Sequence, residues 1–402
     1  MNILAVSVDY FPKLGGISLM THHLCNALGS MHDVRLLAPS DAEIPESYSD
    51  VSYELVVDED SNPRIREGQD FHGEMARIVK LVSQLHVDKQ IDRILLFHPF
   101  YYGPPLQQFA RANGIPASCY IHGFELRSQL IKPPNWRETL FFRKRSLGLR
   151  ATTIDLVRNI DEILVNSSVT GQIVREAGRA KYHITGCGVS TADITDHWID
   201  ASSKDVCGGQ LKKKLGFPAD AFLICFVGRV VPSKNVPYLI RVLEQCPDDV
   251  HLAICGNGNT AELEEQIKVS RVGSRVRVLG EISETSKWDY LGSADVLALP
   301  SIILPGGQIE GFGIVMLEAT LRGAAVVVSQ HGGMQDFVLD RNGFYIDTEK
   351  PESCARLIAE LKSAPQVRLE AVARAQKLLL EKLTWQKIGD RITSNWQRSD
   401  IR

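Results

Sequence analysis

Short, continuous apolar runs alternate along this chain with longer stretches of helical period. The runs ILAVSV (Ile3–Val8), VRLLA (Val34–Ala38), RILLF (Arg93–Phe97), ASCYI (Ala117–Ile121), EILV (Glu162–Val165) and His183–Ile184 read as strands buried on both faces. Between the first two lies an amphipathic segment, Ile17–Leu28, with Met20, Leu24 and Leu28 on one helical stripe. Further helices are predicted after Pro104 and Pro105 and from Thr170 to Ala177. Strand and helix in strict alternation predict a parallel sheet covered by helices on both faces.

From Ser190 to Leu215 the chain turns polar, and the domain junction is placed there. The alternation then restarts with FLICFV (Phe222–Val227), HLAIC (His251–Cys255), RVRVL (Arg275–Leu279), VLAL (Val296–Leu299) and AVVVS (Ala325–Ser329), so the second half reads as doubly wound too. A long helical region, Pro351–Leu383, follows. The last segment places Trp385, Ile388, Ile392 and Trp396 on a stripe that fits either half. At 402 residues two domains are expected, 1–195 and 210–383.

Composition changes this picture little. The chain is 44% hydrophobic and 23% charged with a formal net charge of −3, which gives no reason to expect nucleic acid as a partner. Eight cysteines lie scattered without a CxxC pair or a Cys/His ligand spacing, so neither a disulfide nor a structural zinc is expected. The N-terminus lacks a basic leader and no apolar run spans a membrane, so a cytoplasmic protein is expected. Within 127–150, Arg127, Lys132, Arg137, Arg143, Lys144, Arg145 and Arg150 interleave with Trp136, Leu140, Phe141, Phe142, Leu147 and Leu149. That mixture fits either a solvated cationic helix face or peripheral contact with an anionic membrane.

The chemistry concentrates in LPSIILPGGQIEGFGIVMLEA, residues 299–319. A loop carrying Glu310 is expected to tip at Gly311 and Gly313 into a helix whose second turn carries Glu318, setting free amides beside a carboxylate. A helical 311–318 would separate the two carboxylates by roughly 10 Å of rise. Hydrolytic pairs stand roughly 5–9.5 Å apart, so the two are read as holders of hydroxyls rather than attackers. Arg229 and Lys234, in GRVVPSK, follow the first strand of the second half, where both reach one anionic group or stand solvated. Gly15 and Gly16 end the first strand's loop, either as a tight turn or as an approach for phosphate. Gly256 and Gly258, in CGNGN, lack the third glycine of a dinucleotide fingerprint, so NAD is rejected while a nucleotide-facing turn and a structural one both stand. His122, between a strand and Gly123, faces the presumed site or serves packing. His22 and His23 read as packing residues rather than metal ligands.

In this order the segments YFPKLGG, IHGFE, VNSS, GCGVS, GRVVPSK, ICGNG, VLGEIS, SADVLALPS and EGFGIVMLEA resemble the retaining GT-B glycosyltransferases of family 4, whose E-x7-E signature the last one matches. The resemblance covers nearly the whole chain. It implies an α/β fold of two Rossmann-like doubly wound parallel-sheet domains facing across a cleft, with a C-terminal helix, 384–402, crossing back to the first. It implies a nucleotide-diphosphate sugar as donor, a saccharide or lipid-linked acceptor, and neither metal nor other cofactor. By the resemblance, Arg229 and Lys234 neutralise the diphosphate and Glu318 holds the ribose. Glu310 with the amides of Gly311, Phe312 and Gly313 holds the transferred sugar, Gly15 and Gly16 lie near the phosphates, and His122 lies by the anomeric centre. Asn235 stands where the family carries glycine, and the loop before Glu310 is lengthened. The alternatives on the same fold are a nucleotide-sugar 2-epimerase and an inactive nucleotide-sugar-binding partner subunit.

Overall fold

The structure, a computed structural model, describes residues 1–13, 15–61, 71–130, 150–200, 209–339 and 341–400. The basic segment 131–149, and with it most of the membrane-contact expectation, lies outside the described residues, as do 201–208 of the junction. Two compact units form: Met1–Cys187 with Trp385–Arg402, and Gly188–Thr384. The boundary thus falls just before the polar stretch rather than within it.

The first unit holds a seven-stranded parallel sheet in the order β3-β2-β1-β4-β5-β6-β7. Its strands are β1 (Asn2–Val6), β2 (Asp33–Pro39), β3 (Glu54–Asp58), β4 (Arg93–Leu96), β5 (Ala117–Ile121), β6 (Glu162–Val165) and β7 (His183–Ile184). The second unit holds six parallel strands in the order β10-β9-β8-β11-β12-β13, namely β8 (Phe222–Val227), β9 (Val250–Cys255), β10 (Val276–Gly280), β11 (Val296–Leu299), β12 (Ala325–Ser329) and β13 (Phe344–Ile346). Central strands such as β4, β5 and β11 are buried at every position, because helices cover both faces.

Several elements escaped the hydrophobic pattern. The edge strands β3 and β13 are half exposed, so ELVVD and FYI lack a clean apolar run. The helix Phe71–Asp88 was likewise not predicted. The long C-terminal helical region is two helices, Pro351–Ser363 and Pro365–Lys382, because Pro365 has no N–H to continue the first. The helix Trp385–Asp400 belongs to the first unit. There Trp396 Nε1 donates to Glu162 Oε2 at 2.6 Å beneath the Arg93 guanidinium, 4.7 Å from the ring centre. The seven described cysteines are buried and none is in a disulfide among the described residues. No helix among the described residues is long and apolar enough to cross a membrane.

One ionic node ties the second unit together at the strand starts. Asp295, just before β11, accepts from Lys212 Nζ at 3.0 Å, from Leu223 N at 2.9 Å and pairs with Arg368 at 2.9 Å. It thereby fixes the helices Gly209–Lys214 and Pro365–Lys382 to β8 and β11. Replacing Asp295 by alanine leaves two nearly buried cations without their anion and should cost about 3–5 kcal/mol, read as a lower urea midpoint. A midpoint within error of the parent would contradict it.

Candidate functional site

Parallel strands release the chain at one edge of their sheet, and in the second unit the candidate residues leave from the carboxyl ends of β8, β9 and β11. Beyond β8 the segment 228–230 runs against 256–258, with Gly228 N donating to Cys255 O at 2.9 Å and Val230 N to Asn257 O at 2.7 Å. A Cβ on Gly256 would stand 1.9 Å from Gly228 O, and one on Gly258 2.2 Å from Val230 O. The missing side chains of CGNGN are thus taken up by protein backbone, which accounts for both glycines without a ligand. The contact holds Arg229 at the strand end, where its side chain is exposed and makes no ion pair among the described residues.

Three residues on, a 3-10 turn, Pro232–Lys234, ends at Asn235 in the left-handed region with φ 50°. Asparagine tolerates that conformation better than other side chains, so the exchange of the family's glycine keeps the turn. The turn is anchored by Ile302 N donating to Ser233 O at 2.8 Å. Lys234 Nζ donates to Glu310 Oε2, so two of the predicted residues meet directly. The Glu310 carbonyl accepts from Gly333 N at 2.9 Å, and a Cβ on Gly332 would stand 2.3 Å from it. The HGG segment after β12 is therefore part of the site's support, which sequence reasoning missed.

Past Glu310 the backbone differs from the expectation. The helix runs Val315–Leu321, beginning later than predicted, and Glu318 lies in its first turn rather than its second. Gly313, at φ 87°, departs from helical geometry and delays the start. The rise of roughly 10 Å between the carboxylates, which presumed a helical 311–318, does not apply. The amides of Gly311, Phe312, Gly313 and Ile314 donate to no backbone carbonyl among the described residues. The Phe312 side chain between them is buried. Glu318 is buried and accepts from Lys287 Nζ at 2.7 Å, and Lys287 also pairs with Glu284. Burial lifts the Glu318 carboxyl above its ordinary pKa while Lys287 opposes the shift. Burial by itself would lower the Lys287 pKa, yet the two carboxylates outweigh it and the ammonium keeps its proton.

In the first unit Gly15 and Gly16 open the helix Gly16–Gly29. Gly15 is extended at φ −177°, and a Cβ on either would meet nothing within 4 Å. Neither glycine is therefore demanded by the fold. His122, after β5, is buried, and its Nε2 lies 2.9 Å from the Phe97 carbonyl. A carbonyl only accepts, so Nε2 carries the proton and Nδ1 is left with a lone pair. The His122 backbone N–H donates to the half-buried Glu125 side chain. Beside it stands His98, unremarked in the sequence because a single histidine in LLFHPF carries no pattern. Its ring centre lies 5.6 Å from that of His122, and its Nε2 lies 3.4 Å from Asp9 Oδ2. Among the described residues no group of three His, Cys, Asp or Glu converges as metal ligands would.

Residues 14–193 match the family described as Glycosyltransferase Family 4, and residues 209–378 match Glycosyl transferases group 1. The chain is 35% identical over 173 residues to the D-inositol 3-phosphate glycosyltransferase of Xylanimonas cellulosilytica, covering 41% of this chain and 40% of that protein. It is 25% identical over 333 residues to the lipopolysaccharide core biosynthesis glycosyltransferase LpsE of Rhizobium meliloti, covering 81% and 87%. The chain spans about half the length of several of the curated relatives it matches. Anabaena HepE, solved in complex with UDP, has the same fold, with a TM-score of 0.75 at 20% identity over 99% of this chain and 100% of that one.

Burial lowers the pKa of both His122 and His22 to about 3. The unfolded chain, with histidines near 6.5, takes up protons that the folded one refuses. Their contribution to stability is therefore complete above pH 6.5 and is lost as pH falls toward 3, at up to about 1.4 kcal/mol per pH unit for each histidine. Urea unfolding at pH 7, 6 and 5 should show this slope, flattened in His122→Asn. Equal slopes in variant and parent would refute the assignment for His122.

Proposed function

We propose that this chain, a GT-B-fold protein joining a Glycosyltransferase Family 4 domain to a group 1 domain, is a retaining, metal-independent glycosyltransferase. It moves a hexose-type sugar from a nucleotide-diphosphate donor to a saccharide or glycolipid acceptor in the assembly of bacterial cell-envelope glycans. The observation that carries this reading is the gathering, at the strand ends of the second unit, of Arg229, the Lys234–Glu310 pair and the free amides of 311–314.

As the bond from the anomeric carbon to the donor phosphate breaks, its electron pair leaves with the diphosphate. Arg229 and Lys234 then stabilise the growing negative charge, with the loop amides on the sugar side. Glu310 accepts from hydroxyls of the transferred sugar, and Glu318, with Oε1 on Lys287, accepts from the ribose through Oε2. Without donor each motif carboxylate is paired with a lysine; with donor, Glu310 is taken up by the sugar hydroxyls and Glu318 by Lys287 and the ribose, so neither is assigned as the attacking group. The acceptor hydroxyl instead adds from the face the diphosphate leaves and passes its proton to a leaving-phosphate oxygen, which retains configuration. Of the first unit's residues, Gly15 and Gly16 carry no side chain that would shut a phosphate from the backbone, and His122 offers its Nδ1 lone pair to a hydroxyl. UDP in the HepE structure and the inositol-phosphate, lipopolysaccharide and mannosyl-transferring relatives support a nucleotide-sugar donor and a glycan or lipid acceptor.

A thermal-shift screen of UDP, GDP and ADP sugars tests the reading, since a ligand of the folded state raises the melting temperature. At least one should shift it, and turnover with that donor and an acceptor should persist in EDTA. Arg229→Ala should keep the fold and lower kcat about 100-fold. Unchanged turnover would remove Arg229 from the site, and an altered sugar without any acceptor would favour an epimerase. Gly16→Ala should melt no lower than the parent, since alanine suits a helix start, yet lose turnover by about 10-fold or more.

A further inference from the structure

Lys234 and Glu310 hold one another in the structure, although the reaction proposed above gives them different parts of the donor, Lys234 the diphosphate and Glu310 a sugar hydroxyl. We propose that this ion pair is a latch that the intact nucleotide sugar exchanges for two new contacts, whereas the nucleoside diphosphate alone only breaks it. The site would thereby favour donor over spent nucleotide and help to expel the latter. The inference rests on the glycosyltransferase reading.

Backbone anchoring makes an exchange of side-chain partners the expected response. The Lys234 turn is tied to Ile302, and the Glu310 carbonyl is gripped by Gly333 with no room for a side chain at Gly332. Neither backbone has freedom to retreat, so a ligand that claims one side chain leaves the other where it was. The pair is only partly open to water, with side-chain exposures of 22% and 14%. A carboxylate deprived of its ammonium there is poorly resolvated. When a diphosphate without a sugar draws Lys234 away, Glu310 is left anionic and unpaired beside further negative charge. When the sugar is attached, its hydroxyl donates to Glu310 and takes the ammonium's place. Once the sugar has gone to the acceptor, Glu310 reclaims Lys234 and the nucleotide loses one of its two cations. Arg229, with no carboxylate partner among the described residues, is the cation that stays.

Titration calorimetry with UDP, GDP, UDP-glucose and GDP-mannose tests the latch on the full chain. In Glu310→Gln the freed lysine should bind the matching nucleoside diphosphate about five-fold more tightly, the value of a partly exposed ion pair. The preference for the sugar nucleotide over the nucleotide should shrink by at least that factor. In a Lys234→Met background the same Glu310→Gln change should give no tightening. Tightening that persists without Lys234 is general relief of charge repulsion and overturns the latch. No tightening in the single variant also overturns it, because the three N–H donors of the ammonium would then serve both anions at once. In either case a parent that binds the sugar nucleotide leaves the glycosyltransferase reading standing. A parent that binds none of the four probes and no ADP sugar removes that reading and the latch together. Should Glu310→Gln melt well below the parent, Glu310→Asp, one methylene too short to reach, supplies the same comparison.

Discussion

Two backbone segments that touch without side chains between them set the geometry of the second unit's site. Gly256 and Gly258 let the end of β9 close on the end of β8, and the hydrogen bonds this permits fix where Gly228–Val230 leaves the sheet. Arg229 and, one turn later, Lys234 inherit their positions from that contact. Any side chain at Gly256 would push against the Gly228 carbonyl rather than against a flexible side chain, and a packed parallel sheet offers no slack to absorb it.

Charge in this unit is arranged in pairs of opposite purpose. At the strand starts Asp295 collects two cations and locks helices to strands. At the strand ends each carboxylate of the E-x7-E motif meets a lysine, Glu318 with Lys287 and Glu310 with Lys234. The first of these pairs is deeply buried and further compensated by Glu284, a rigid arrangement that holds a carboxylate ready to accept hydrogen bonds. The second is partly open to water, and its members are the ones that the proposed donor would separate. Similar chemistry at two depths therefore gives a fixed support and an exchangeable contact.

Much of this was legible in the sequence, and what was not has physical reasons. Central strands announce themselves because burial on both faces demands unbroken apolar runs, whereas β3 and β13, at the sheet edges, answer to solvent on one side. Arg229, Lys234, Glu310 and Glu318 were singled out because each follows a strand or a glycine turn. Lys287 was not, since SETSKWDY reads as an ordinary solvated helix and its partner stands 31 residues away. His98 and the HGG support of Glu310 escaped for the same reason, being local only in space. The helix start after Gly313 was placed too early because an apolar run after glycine says nothing of the φ that the glycine takes.

The terminal helix Trp385–Asp400 carries a temporal consequence. It belongs to the first unit, packing its buried stripe there and seating Trp396 against Glu162. A ribosome making this chain delivers residues 1–187 first, then the whole of Gly188–Thr384, and only afterwards the segment that completes what came out first. The second unit can therefore reach its finished core while the earlier-made one still waits, with Trp396's seat open, for residues 385–400 to clear the exit tunnel.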